Sequence, residues 1–251
     1  MKPFLKTLVW FISTILLALV IRIFVMAVYL VPTPSMEPTI LSKDLIMAIK
    51  LFAIKHKTPK TNEVWLFSKP DESNDHSLTL VKRLYGAPGD TIQFYNGSIM
   101  VNGIPNNMAK FKDNTISAGT LPYPNLMIFP NDTSQVKWTA LDFGPLWIPR
   151  KGVNIKLNKL SLSLYRKCIL DESPELKLTQ DGYITQGDSV IEEYTFKQNY
   201  YFACGDNLAL SNDSRHWGLI PEHHLMSKAR LVLFSSYKPI SNLSRFFMKI
   251  E

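Results

Sequence analysis

At 251 residues, with 46% hydrophobic and 20% charged side chains, the chain is too apolar for a disordered protein. It has room for an anchor plus roughly 220 residues of folded material. The formal charge of +7 includes no basic run, and Lys2, Lys6 and Arg22 contribute three of its positive charges in the first apolar segment, so affinity for membrane lipid is favoured over nucleic acid.

The N-terminal segment comes first. Over residues 8–31 only Ser13, Thr14 and Arg22 interrupt an apolar run. About 20 residues cross a hydrocarbon core, so residues 5–21 with a short interfacial extension are sufficient for one transmembrane helix. The anchor region is set at 1–30. Lys2 and Lys6 favour a cytoplasmic N-terminus, Arg22 can snorkel to the far interface, and the rest of the chain is expected outside the cytoplasm. A cleaved signal peptide is the competing reading, but Met26-Ala27-Val28-Tyr29 is a poor cleavage site.

Just beyond lies Val31-Pro32-Thr33-Pro34-Ser35-Met36-Glu37-Pro38. A serine between prolines at a membrane exit is unusual, yet its own context also fits a helix cap or turn. A serine hydroxyl is a weak nucleophile without a base.

Residues 63–67 read as a strand, followed by a polar loop over 69–77 and a second strand over 78–85. Alternation places Leu78, Leu80, Lys82 and Leu84 on one face, and Arg83 on the more polar one. A lysine in apolar surroundings loses hydration, its pKa falls, and the neutral amine can serve as a general base. The alternative is an edge lysine whose stem packs while its head snorkels to water, and on this strand alone it is the stronger reading.

Asn96-Gly97 between residues 91–95 and 98–101 signals a hairpin. The stretch from 102 to about 198 is looser, with a helix near 159–170 and strand pairs around Asp181-Gly182. Residues 200–204 and 228–235 read as late strands. Frequent turns and no βαβ rhythm predict a mainly β, antiparallel architecture.

Cys168 and Cys204 permit one disulfide at most, and the aromatic strand before Cys204 favours a free buried thiol. His223 and His224 read as surface residues. No residues have metal-ligand spacing, so no metal or cofactor is expected. No Gly-x-Ser-x-Gly elbow surrounds any serine. The late segment Gly205-Asp206-Asn207, continuing to Ser211-Asn212-Asp213-Ser214-Arg215, reads in isolation as a polar turn with a local Asp213–Arg215 ion pair.

Taken together, Ser35-Met36 among prolines, Lys82-Arg83-Leu84-Tyr85-Gly86-Ala87-Pro88-Gly89-Asp90, and this late segment, all behind an apolar anchor, resemble bacterial type I signal peptidase. The resemblance covers the anchor, residues 31–103 and residues 200–235. It implies an antiparallel β catalytic core over 31–104 and 199–251, with an inserted noncatalytic β-rich subdomain over 105–198. It implies Ser35 as acylating nucleophile and Lys82 as general base, with Ser211 hydrogen-bonded to the lysine amine. The oxyanion would be held by the Ser35 N–H and the Thr33 hydroxyl, two positions that can face the same way in an extended segment. Asp206, Asp213 and Arg215 would support the loop, and Met36 would lie near the substrate groove.

The implied activity is removal of signal peptides from exported preproteins, near the secretion translocon, by an enzyme anchored in the bacterial cytoplasmic membrane. The chain departs from the family pattern at Leu208-Ala209-Leu210, where an arginine usually follows Gly-Asp-Asn, and at Asn62-Glu63, where Gly-Asp is usual. One rival is a catalytically silent, membrane-anchored relative that binds preproteins. Another is a processing peptidase with a narrow substrate set.

Overall fold

A computed structural model describes residues 3–50, 58–70, 78–108, 127–131, 135–236 and 242–251. Helix α1 runs Pro3–Phe24, with every side chain exposed and Arg22 in its last turn. Its 22 residues extend about 33 Å, enough to cross a hydrocarbon core of about 30 Å. The apolar run does not end as helix. Met26–Leu30 forms strand β1, paired with β2 (Asp44–Lys50) from Met26↔Ile49 to Leu30↔Leu45. The expected anchor region therefore holds two elements, because the last apolar residues carry aromatic and β-branched side chains and find a ladder partner.

Strands β3 (Val64–Ser68) and β4 (Thr79–Gly86) occupy the two strand segments read from the sequence. Most of the intervening polar loop, residues 71–77, lies outside the described residues. β5 (Thr91–Tyr95) and β6 (Ser98–Val101) form the expected hairpin, with Asn96 at φ 47° and Gly97 at φ 75°. Those two positive angles are what a tight two-residue turn demands. β7 (Ile104–Asn106) and β8 (Phe143–Trp147) complete a four-stranded sheet in the order β7-β6-β5-β8.

β9 (Asn154–Lys156) leads into α2 (Lys159–Glu172), whose first turn is closed by reciprocal Asn158 and Ser161 hydrogen bonds. β10 (Lys177–Leu178), β11 (Ile184–Gln186) and β12 (Ser189–Val190) form a small sheet around the turn that holds Asp181-Gly182. β13 (Glu193–Thr195) returns to β9.

β14 (Tyr200–Cys204), the short helix α3 (Ser214–Trp217), β15 (Ile220–Pro221), β16 (Leu225–Ser235) and β17 (Met248–Lys249) follow. The main sheet has the order β1-β2-β16-β3-β4-β14-β15, with β17 paired to β16. Every strand pair among the described residues is antiparallel. The architecture is mainly β, as the turn rhythm predicts.

β3 shows why this sheet is stable. Its Val64 and Leu66 join a cluster with Val31, Met36, Ile40 and Val232, while Trp65 and Phe67 join another with Leu84, Tyr201 and Trp217. Both faces are covered, so the strand reads as a continuous apolar run. Cys168 and Cys204 are both buried and free.

Candidate active site

Ser35 sits in a single 3-10 turn, Pro34–Met36, closed by Glu37 N–H donating to Pro34 O at 3.1 Å. Pro34 presets the turn's backbone angle and has no N–H to leave unpaired. The cap position belongs to Thr33, which makes no capping bond, so the helix-cap reading of Ser35 does not apply.

Lys82 lies in β4 directly across from Trp65 of β3. Leu80 and Leu84, two residues away on either side, belong to the same apolar cluster as Trp65 and Phe67. Leu78 is the exception to the expected leucine stripe, being exposed and just outside the strand. The fold brings Lys82 Nζ to 2.6 Å from Ser35 Oγ across 47 residues of sequence. Ser35 and Lys82 are 3% and 4% exposed. The Thr33 hydroxyl stands 3.3 Å from the Ser35 hydroxyl.

Burial lowers the Lys82 pKa to about 8, against the opposing pull of Asp213, Cys204 and Asp206. Cys204 is itself pushed well above the usual thiol range by burial and stays neutral. Each of the two carboxylates is claimed by an arginine. Arg83 Nε and Nη2 donate to Asp206 Oδ1 and Oδ2 at 2.8 and 2.7 Å, and Tyr85 OH adds a bond at 3.2 Å. Arg215 Nε and Nη2 donate to Asp213 Oδ1 and Oδ2 at 2.9 Å each. Burial would raise the Asp213 carboxyl, but Arg215 outweighs it and holds the pKa at about 2. The expected Asp213–Arg215 pair is thus present, and the more polar face of β4 is a buried ion pair, with Arg83 1% exposed.

Ser211 lies elsewhere in the network than the resemblance implies. Its hydroxyl accepts from Gly205 N–H at 3.0 Å and stands beside the Asp213 carboxylate. Among the described residues it makes no hydrogen bond to Lys82, whose Nζ meets Ser35 Oγ instead. Met36 is fully buried, in the core cluster with Val31 and Ile40.

Two residues of the late motif to which the sequence reading gives no role hold the Ser35 turn. Asn207 N–H donates to Ser35 O at 3.1 Å, and its side-chain amide donates to Pro34 O at 3.3 Å. A Cβ on Gly205 would lie 2.2 Å from Ser35 O and 2.5 Å from Ser211 Oγ, so only glycine fits. The signal was available, since an invariably small residue is needed wherever another backbone approaches a strand end this closely. At the departure from the family pattern, Leu208–Leu210 forms a 3-10 turn, and Arg215 Nη2 donates to Leu208 O at 2.7 Å.

The comparisons agree with one another. The family model for signal peptidase, peptidase S26, matches residues 4–234. A signal peptidase I of Buchnera aphidicola subsp. Baizongia pistaciae is 28% identical over 90% of this chain and 76% of its own length. That of Aquifex aeolicus is 26% identical over 90% of this chain and 82% of its own. That of Pseudomonas aeruginosa is 24% identical over 94% and 75%, respectively. With its buried serine–lysine contact and with a family match spanning nearly its whole length, this chain belongs to the signal peptidase family, peptidase S26.

Proposed function

We propose that this chain removes signal peptides from exported preproteins with Ser35 as nucleophile and Lys82 as general base. The observation that carries the assignment is the 2.6 Å contact between Lys82 Nζ and Ser35 Oγ, with burial taking the lysine pKa down to about 8. A neutral amine has a lone pair for the serine proton, whereas an ordinary lysine near pH 7 has none.

Ser35 Oγ attacks the scissile carbonyl carbon while its proton passes to Lys82 Nζ. The oxyanion is held by the Ser35 N–H and the Thr33 hydroxyl, both on the nucleophile's turn. As the tetrahedral intermediate collapses, the C–N bond breaks and the lysinium proton goes to the leaving amine. This leaves an acyl ester on Ser35 and neutral Lys82. Lys82 then takes a proton from water, the hydroxide adds to the ester, and Ser35 leaves with that proton restored. Ser211, Asp213 and Arg215 act as positioning residues, Ser211 through Gly205 and Asp213 rather than directly on the amine.

The substrate strand has a natural berth. β14 pairs β4 only from Arg83 to Gly86, so over Thr79–Val81 no strand among the described residues covers the edge opposite β3. An extended peptide there presents alternate side chains to the residues beside Ser35. Small residues at the first and third positions before the cut are what membership of the signal peptidase family leads us to expect.

Helix α1 fits a membrane anchor. We assign the N-terminus to the cytoplasmic side of the bacterial cytoplasmic membrane and the β domain to the far side, close to the translocon. Lys6 in the first turn of the helix and the length of the following domain support that orientation. We also assign catalysis to 31–104 with 199–251, and a noncatalytic role to 105–198, since Ser35, Lys82 and the Gly205–Arg215 loop all lie in the first set. The silent binding module is disfavoured, because a binding role gives no reason to bury an unpaired lysine against a serine.

The test uses purified chain and a preprotein, comparing the natural sequence with Ser35→Ala and Lys82→Ala. Both substitutions should abolish cleavage. Cutting by Lys82→Ala at the unsubstituted rate would remove Lys82 as the base.

A further inference from the structure

β3 and β16 form one wall of a groove of about 740 Å3, lined by Trp65, Lys60, Glu63, Asp90, Lys228 and Arg230 among others. This volume suits a small polar ligand. The two carboxylates are already engaged. Glu63 accepts from Lys228 Nζ at 2.5 Å, from Trp65 Nε1 at 3.0 Å and from Lys60 N–H at 3.2 Å. Asp90 accepts from Ala87 N–H at 2.9 Å and from the Asn102 amide at 2.8 Å.

The cations are not all matched. Among the described residues, neither the Arg230 guanidinium nor the Lys60 ammonium has a hydrogen-bond or ion-pair partner, and Arg230 Nε is buried without one. Three cations face two carboxylates, and both carboxylates are spent. A buried guanidinium nitrogen without an acceptor is costly, and a guanidinium fork matches the oxygens of a phosphate.

Location narrows the source of the phosphate. Met26↔Ile49, Ile49↔Lys228, Lys228↔Trp65 and Trp65↔Lys82 form one row across the sheet. At a strand spacing of about 4.8 Å, Lys228 lies about 10 Å from Met26, which follows the end of α1 by two residues. Lys50 Nζ donates to Ile23 O, tying β2 to the last turn of the helix. If α1 spans the bilayer, the groove opens near the headgroup layer, which extends about 5–8 Å beyond each side of the hydrocarbon.

We propose that the groove built on Lys60 and Arg230 is a phosphate-binding site, filled by the headgroup of an anionic phospholipid. It is distinct from the Ser35–Lys82 pair, although Trp65 stands between them in the row. The lipid source rests on α1 as anchor, and binding is measured without reference to peptide cleavage. Failure of one reading is therefore distinguishable from failure of the other.

The full chain in a nonionic detergent is titrated calorimetrically with dihexanoyl phosphatidylglycerol, dihexanoyl phosphatidylcholine and inorganic phosphate. Saturable binding of the phosphatidylglycerol is expected, weakened about tenfold by Arg230→Gln and several-fold by Lys60→Gln, and unchanged by Lys177→Gln on the distant β10. Lys60 is exposed, so Lys60→Gln gives a reading even if Arg230→Gln disturbs the fold. Inorganic phosphate binding as tightly as the lipid, with the same sensitivity to both variants, would support the phosphate site and overturn the lipid source. Equal affinity of Arg230→Gln, Lys60→Gln and the unsubstituted chain for phosphatidylglycerol would overturn the site itself.

Discussion

On one face of β4, Arg83 is buried against Asp206, with both guanidinium contacts at 2.8 Å or less. On the other, Lys82 is equally buried and meets the Ser35 hydroxyl at 2.6 Å. Adjacent residues on one strand thus carry two buried cations with opposite provision. The paired cation keeps its charge and fastens β4 to the Gly205–Asp206 loop. The unpaired one is penalised for its charge and gives up its proton more readily. Asp213 also lies near Lys82, but Arg215 holds it as Arg83 holds Asp206, so burial dominates at the lysine. Arg215 does more than brace a loop. It offsets part of the pull that Asp213 and Asp206 exert on Lys82, and burial outweighs the remainder.

The largest effect is expected at Ser35 and Lys82. Ser35→Ala or Lys82→Met should lower kcat by at least about 10³-fold in a preprotein cleavage assay, the scale seen when a nucleophile or its base is removed. Next in size is Gly205→Ala. Its Cβ would meet Ser35 O at 2.2 Å, so the nucleophile's turn must move, and a displacement near 1 Å costs about 10²-fold in rate. Retention of full activity by this variant would show that the turn is not held where it must be.

Arg215→Gln tests the shielding. It leaves the Asp213 charge unopposed beside Lys82, so the midpoint of the pH–rate profile should move upward and the rate at pH 7 should fall about tenfold or less. An unmoved midpoint would confine Arg215 to loop architecture.

The smallest effect is thermodynamic. The folded-state pKa of Lys82, about 8, lies below the ordinary value of 10.5. Below pH 8 both states hold the proton and the burial cost is felt in full. Between about 8 and 10.5 the unfolded chain binds more protons, so stability rises with pH, and above that window the cost is gone. Lys82→Met should therefore stabilise the fold near pH 7 by up to about 3 kcal/mol, and the gain should fade as pH rises through that window. Chemical denaturation at pH 7 and pH 10 measures it.

Much of this was legible in the sequence, for reasons that differ by residue. The strands around Lys82 and the Asn96-Gly97 hairpin follow from alternation and turn chemistry, which are local signals. Ser35 and Lys82 were ambiguous apart and informative together, because a dyad is a property of two segments. What was not legible depended on packing across the chain. Met26–Leu30 looked like more anchor, since apolarity does not distinguish a lipid-facing helix from a sheet strand once the partner strand is far away. The Ser211 hydroxyl has several neighbours within reach, and only the folded loop shows that Gly205 and Asp213 take it. Asp206 shows no partner in the sequence, because its pairing with Arg83 spans 123 residues.

The most direct test of the central claim is the pH dependence of kcat/KM for preprotein cleavage. A neutral Lys82 acting as base predicts a rate that climbs about tenfold per unit below pH 8 and levels off above about 8, where the amine has lost its proton. A profile flat from pH 6 to 9, or a rising one that persists in Lys82→Met, would contradict it.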